Sequence, residues 1–253
     1  MATKFFDAFA KVGYNFGDNE DSVLFDNITA YVDIIDSLKE NNVFYNKYTI
    51  LPEDRPDTVS FKLYGTVDYY WTFFLMNDNL RRDGWPIYTN KIDEIAASKY
   101  PNRTLTTTAN IADRFYPGQR FEGLSSGTVG TVLKRNLDLG QIIYDSGGNN
   151  LNDGETLQLT AASLAGTDIT DPNISVRSDS TQVDSVHHYE DADGVTQDID
   201  PHTYTIPATY TAVTYRQRMI AANENLREII VLKPDVVGRA ASEFKAFMQN
   251  EQN

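Results

Sequence analysis

The sequence predicts an α+β fold in several parts, on three observations. Residues from Tyr48 to Asn77 parse as a strand followed by two helices. From about Arg120 to Thr205, β-prone runs alternate with turn clusters such as Ser146-Gly147-Gly148-Asn149-Asn150. The chain then closes on a strand and an amphipathic helix.

Residues 1–45 form a lead segment. Val32, Ile35 and Leu38 fall at helical spacing there, before the polar Glu40-Asn41-Asn42, and predict one short helix. Residues 46–118 hold the first packed unit and its linker, with both tryptophans, Trp71 and Trp85. Asp57 is the expected N-cap of its first helix, accepting from backbone N–H groups of the first turn. Gly65 supplies the left-handed residue that ends that helix. Asp68 is the expected cap of a second helix, on which Trp71, Phe74 and Leu75 share a face while Tyr70 and Phe73 point elsewhere. A helix apolar on more than one face suggests burial in an assembly.

Residues 119–210 read as an acidic, β-rich insertion, with Thr128 to Leu133 and Gln141 to Tyr144 as its clearest strands. Residues 211–253 contain a strand at Glu228-Ile229-Ile230-Val231-Leu232, stopped by Pro234. A helix follows with Val237, Ala240, Ala241, Phe244 and Met248 on one stripe, widened by Phe247. That stripe must pack either on this chain or on a neighbouring protein, and the sequence reading favours the neighbour.

Composition narrows the function. The 253 residues exceed one minimal core, 41% of them are hydrophobic, and the mean hydropathy is -0.43, so the protein is globular and rich in polar loop. The net charge is -14, and between Asn136 and Tyr215 thirteen acidic residues face one base, Arg177. Nucleic acids and acidic membrane surfaces are thereby disfavoured, since both are held by Lys and Arg. With no cysteine, there are no disulfides, thiolate metal sites or Cys nucleophiles. Met1 to Phe16 lacks the apolar run of a signal peptide and no segment approaches the length of a membrane span, so the protein is expected to stay in the cytoplasm where it is made.

No constellation demands chemistry. His187, His188 and His202 lie near Glu190, Asp191, Asp193, Asp198 and Asp200, which invites a metal. Adjacent histidines on a strand point to opposite faces, however, and a strand pair joined by an Asp191-Ala192-Asp193-Gly194 turn explains the segment better. The same loop fits a calcium loop only in part, because Tyr189 would replace its first carboxylate and Asp200 its bidentate Glu. There is no nucleophile elbow, phosphate loop or His-Glu-x-x-His helix, so no catalytic residues, cofactor or metal are expected.

The tyrosine-led strand at Tyr48, the short helix ending in Tyr64-Gly65, the second helix ending at Asn77 and a closing strand at Trp85-Pro86-Ile87 resemble a LysM module. LysM modules are βααβ folds that usually bind N-acetylglucosamine polymers. Their Gly-Asp-Thr opening stands here as Arg55-Pro56-Asp57-Thr58, a departure that bears directly on glycan binding. Arg55-Pro56-Asp57, Leu63-Tyr64-Gly65, Val67-Asp68-Tyr69-Tyr70-Trp71, Asn77-Asp78 and Asp83-Gly84-Trp85-Pro86 are more specifically similar to the LysM-like baseplate wedge proteins of T-even-like contractile-tailed phages. Asn223 to Pro234 and Glu243-Phe244-Lys245 resemble that family's C-terminal segment, so the likeness covers about Phe25 to Pro101 and Tyr215 to Met248.

The resemblance implies a structural subunit of the virion, assembled in the host cytoplasm and present in several copies around a six-fold baseplate. It would join adjacent wedges in the inner ring and contact the main wedge-ring protein and the lysozyme-like wedge subunit. Trp71, Phe74, Trp85 and Phe244 are the candidate interface anchors, because binding energy concentrates in large aromatics. The competing class is a glycan-binding module, which needs polar donors near Pro52 and Asn77. An enzyme ranks third.

Overall fold

The computed structural model describes residues 11–17, 22–26, 43–112, 114–160, 170–202 and 204–250. The helix expected on Val32, Ile35 and Leu38 lies outside them. Helices and strands both occur and fall largely in separate runs along the chain, so the fold is mixed α+β. Two compact units form, Met1–Tyr88 with Ala222–Asn253, and Thr89–Ala221.

The first unit opens with β1 (Lys11–Tyr14) and β2 (Val23–Asp26), an antiparallel hairpin, followed by β3 (Tyr45–Thr49). Helix α1 (Pro56–Tyr64) begins with proline at its first position, where a missing N–H costs nothing. Asp57 lies inside this helix rather than capping it. The residue at the cap is Arg55, whose N–H is taken at 2.9 Å by the hydroxyl of Thr58. Gly65 ends the helix as expected, at φ +73 with its N–H on the Phe61 carbonyl at 2.9 Å. Helix α2 (Trp71–Met76) starts too late for Asp68 to cap it, and Asp68 instead accepts the Thr66 hydroxyl at 3.0 Å. Asn77 separates α2 from α3 (Asp78–Asp83).

Trp85-Pro86-Ile87 is not a strand. Ile87 is held by one side chain: Asn223 Oδ1 accepts its N–H at 2.8 Å and Asn223 Nδ2 donates to its carbonyl at 3.1 Å.

The second unit starts at helix α4 (Thr89–Lys99) and then builds β4 (Arg103–Thr107), β5 (Arg120–Gly123), β6 (Val129–Asn136), β7 (Gln141–Asp145), β8 (Thr156–Thr160) and β9 (Thr170–Thr181). These six close into a barrel in the order β4-β7-β6-β5-β8-β9, antiparallel throughout. Closure leaves no free edge, and buried Leu105, Phe121, Ile142, Tyr144, Leu157 and Ile174 fill the interior. Gly130 is required there, since a Cβ would sit 2.4 Å from the Phe121 ring. The barrel therefore begins before residue 119: β4 carries one large apolar side chain, Leu105, which is too weak a pattern to mark a strand in sequence.

Two buried carboxylates tie the barrel together. Asp179, almost fully buried, accepts Arg103 Nε and a terminal guanidinium nitrogen at 3.0 and 2.7 Å, the Tyr144 hydroxyl at 2.8 Å and the Leu151 N–H at 2.9 Å. Burial, then the Asp179 charge, pushes the Tyr144 phenol up, so it stays a donor. Glu155 accepts the N–H groups of Ser125, Ser126 and Asn152 at 3.1, 2.8 and 2.6 Å, and the Ser126 hydroxyl at 3.0 Å. Burial raises the Glu155 carboxyl, but these bonds outweigh it and hold the group below its ordinary value.

A second sheet in this unit orders β11 (Thr196–Gln197), β10 (Val186–Glu190) and β12 (Thr211–Thr214). The expected Asp191–Gly194 turn joins β10 to β11, with Gly194 at φ +77. β12 pairs with β10, so residue 211 still belongs here. Helix α5 (Tyr215–Glu224) then carries the chain back.

In the first unit, β13 (Glu228–Leu232) pairs antiparallel with β3, in register from Thr49↔Glu228 to Tyr45↔Leu232. The strand that closes the sheet is thus β13, supplied by the far end of the chain. Its other edge is covered by a side chain: Asn77 Oδ1 accepts the Ile230 N–H at 2.9 Å, while Asn77 Nδ2 donates to the Ile230 and Phe73 carbonyls at 2.8 Å. Tyr64 donates to the Leu232 carbonyl at 2.9 Å. Ile50, Val59, Phe73, Leu80, Ile229 and Val231 pack in one cluster, and Met76 and Leu232 in another with Val237 of α6 (Pro234–Asn250). Each fully buried side chain of this kind contributes roughly 1.5–3 kcal/mol.

Two outcomes follow. Asn77→Ala leaves the half-buried Ile230 N–H and carbonyl unpaired, and urea unfolding is expected to show a loss of about 1–3 kcal/mol. The depressed Glu155 carboxyl stabilises the fold above its unfolded value near 4.5, and that contribution disappears as pH falls through the lower folded value. Glu155→Gln should therefore be less stable than wild type at neutral pH, with the difference shrinking steadily below about pH 4.5 in acid titrations of stability.

Candidate interaction surface

The four expected anchors make their contacts inside the chain. Trp71 and Phe244 are each 5% exposed, and their rings meet at 5.2 Å. Half-buried Phe74 and Trp85 face each other at 6.0 Å, and Phe73 lies 6.0 Å from Trp85. The Trp85 indole donates to the Asp54 carbonyl at 2.7 Å. Asp54 itself is buried, accepting Tyr48 Oη, the Leu51 N–H and Lys62 Nζ. Burial raises the Asp54 carboxyl, but Lys62 and these hydrogen bonds hold it below its usual range.

The apolar load of α2 is therefore met by its own unit, and so is the α6 stripe from Val237 to Phe244; the Phe247 and Met248 side chains lie outside the described residues. Val237, Ala241 and Phe244 are buried and Ala240 packs beside Leu232. Of the two options for this helix, packing on its own chain is the one observed. From Val237 to Phe244 no neighbouring protein is needed to cover it.

The groove that a glycan would need has lost one of its donors. Asn77 is buried and its amide is spent on Ile230 and Phe73. The Pro52 loop is a tight turn closed by Asp54 N–H on the Leu51 carbonyl at 3.1 Å, with Glu53 at φ +74.

The histidines also serve local structure. A register shift between Val186 and His188 lets His187 Nδ1 approach His188 Nδ1 at 2.8 Å, and His188 Nε2 lies 3.1 Å from Glu190. Burial first, then the charge of Arg218, lowers the His187 value. His202 lies 2.8 Å from Asp200 through Nδ1 and 2.7 Å from the Thr107 carbonyl through Nε2. Asp191 Oδ1 accepts the N–H groups of Asp193 and Val195 at 3.0 and 2.9 Å, an arrangement that serves the turn. Among the described residues no group of three His, Cys, Asp or Glu is placed to hold a metal ion, and no helix is long and apolar enough to cross a membrane.

The hairpin carries a run of exposed apolar side chains. Its register sets Val12 opposite Phe25 and Tyr14 opposite Val23, so these four share one face, while Gly13 and Leu24 lie on the other. The Phe16 ring joins the first face, 5.1 Å from Tyr14 and 6.0 Å from Phe25. All five are exposed, Phe16 by 65% and Tyr14 by 59%. Exposed apolar faces of this kind mark association sites, and a lone two-stranded ribbon is barely stable in water. Sequence reasoning missed it because each strand spans four residues, too few for alternation to stand out. The available signal was Val12/Tyr14 and Val23/Phe25 on either side of Asn15, Gly17, Asp18 and Asn19.

Compared with known proteins, the sequence matches no family profile and no curated protein.

Phe244→Asp forces a charge against Trp71, and the purified chain should lose at least about 3 kcal/mol. A melting temperature equal to wild type would show that α6 leaves its own unit in solution.

Proposed function

We propose that this chain is a structural, non-enzymatic subunit of a contractile phage tail baseplate, joining adjacent wedges in the inner ring. The observation that carries the proposal is the hairpin, with Val12, Tyr14, Phe16, Val23 and Phe25 exposed on one ribbon. Such a ribbon has to be buried by another surface, and a subunit that lives inside an assembly provides for that.

The resemblance to LysM-like wedge proteins supports the same reading. It rests on two stretches of sequence far apart, and these fold against each other. β3 pairs with β13, Asn77 grips Ile230, and Trp71 meets Phe244. The residues quoted for the likeness thus serve one unit. Its partners are other wedge proteins, the main wedge-ring protein and the lysozyme-like subunit, and its place is the virion.

The test replaces this protein in its phage by the Tyr14→Asp/Phe25→Asp variant. The purified variant should melt within a degree or two of wild type, while wedges carrying it fail to close into baseplates by electron microscopy. Normal baseplates would overturn the role given to the hairpin. Saturable retention of the purified protein on insoluble peptidoglycan would instead favour the glycan-binding reading.

A further inference from the structure

We infer that the β1–β2 hairpin of one copy adds as extra strands to the open edge of β3 in a second copy, linking copies head to tail. The inference rests on the assembly role proposed above and names the partner for its hairpin.

The edge is defined by the hydrogen-bond alternation of the β3–β13 pair. The Phe44 carbonyl accepts Lys233 N–H at 3.0 Å, and Ile50 N–H donates to the Arg227 carbonyl at 2.8 Å. In an antiparallel ladder every second residue bonds to the partner strand, so the backbone groups of Asn46 and Tyr48 point toward β13. Those of Tyr45, Lys47 and Thr49 point away from it. Among the described residues β3 pairs with no strand on that side, and Lys47 and Thr49 are exposed.

The contrast with the other edge of this sheet is informative. There the outward groups of Ile230 are both taken by Asn77, and the Leu232 carbonyl by Tyr64. One edge is closed by dedicated side chains and, among the described residues, the other is left open. An open edge of backbone donors and acceptors accepts one kind of occupant, an extended strand.

The hairpin matches that requirement from the same chain. It is a two-stranded sheet that pairs with no further strand among the described residues. Its strands of four residues fit an edge of five. Its apolar face is exposed, and joining the sheet of a second copy would bring that face against the side chains flanking that sheet. Ribbon and edge are different surfaces, so their union between copies is heterologous, and heterologous contacts generate rings when the rotation closes.

Position 47 allows a clean experiment. The Lys47 N–H points away from β13, so Lys47→Pro removes only an outward donor and proline is tolerated at such edge positions. The exposed Lys47–Glu228 ion pair that is also lost contributes little. Lys47→Thr keeps the N–H and serves as the control. Full-length wild type, Lys47→Pro, Lys47→Thr and Phe25→Asp are compared by analytical ultracentrifugation, with melting curves confirming that each is folded.

Wild type and Lys47→Thr should self-associate, while Lys47→Pro and Phe25→Asp are each monomeric. Mixed, the last two should form a one-to-one dimer, because Lys47→Pro still offers a hairpin and Phe25→Asp still offers an edge. A monomeric wild type, a Lys47→Pro chain that associates like wild type, or a mixture that stays monomeric would overturn the inference. Any of these leaves the baseplate role to be judged by the wedge-closure test.

Discussion

The pairing of β3 with β13 is the contact on which the first unit depends. It joins Tyr45–Thr49 to Glu228–Leu232, and the chain between them builds an entire second unit before returning. Loop-closure entropy grows only slowly with length, so so long an excursion adds little more cost than a short one. What the arrangement needs is a return strand held firmly in register. Asn77, 153 positions away from Ile230, supplies that by satisfying both backbone groups of the residue as another strand would. Asn223 repeats the device on Ile87, 136 positions away. Two amides thus stand in for missing strands at the points where the chain leaves and re-enters the unit. Because each is buried, its hydrogen bonds are worth more to make and more to lose than they would be in water.

Hydrophobic burial provides most of the stabilisation around this frame. Phe73, Ile50 and Val231 are packed on one side, and α6 adds Val237 and Phe244. An apolar α2 and an amphipathic α6 are therefore complementary parts of one core. Each alone looks like an interface, which is why the sequence suggested burial against other proteins.

Local signals were legible wherever short-range chemistry decides. Gly65 at a helix end, the Asp191–Gly194 turn and the β-character of the acidic stretch follow from backbone preferences within a few residues. Long-range choices were not legible. Ile229 and Val231 are buried on either side of half-buried Ile230 in a way that suits any sheet, and nothing local names β3 as their partner. Trp85-Pro86-Ile87 has the composition of a strand, yet Asn223 occupies its backbone. Asp57 misled because proline at position 56 already begins the helix. The acidity of the second unit, easily read as solvated surface, is partly internal: Asp179 and Glu155 are spent on guanidinium, hydroxyl and backbone N–H groups. Of the interaction surface, the four aromatics chosen by size are used inside the chain, and the exposed Tyr14 and Phe25 sit on strands too short to detect.

The central claim is that the distant C-terminal strand closes the first unit in one defined register, and a disulfide tests it most directly because the chain has no cysteine of its own. Thr49→Cys with Glu228→Cys places two thiols on directly opposed residues. Thr49→Cys with Ile230→Cys offsets them by two positions. After mild oxidation and proteolysis within residues 89–221, non-reducing electrophoresis should show the end fragments joined in the first variant and separate in the second. Equal linkage in both, or linkage only in the offset pair, would contradict the register and with it the closure described here.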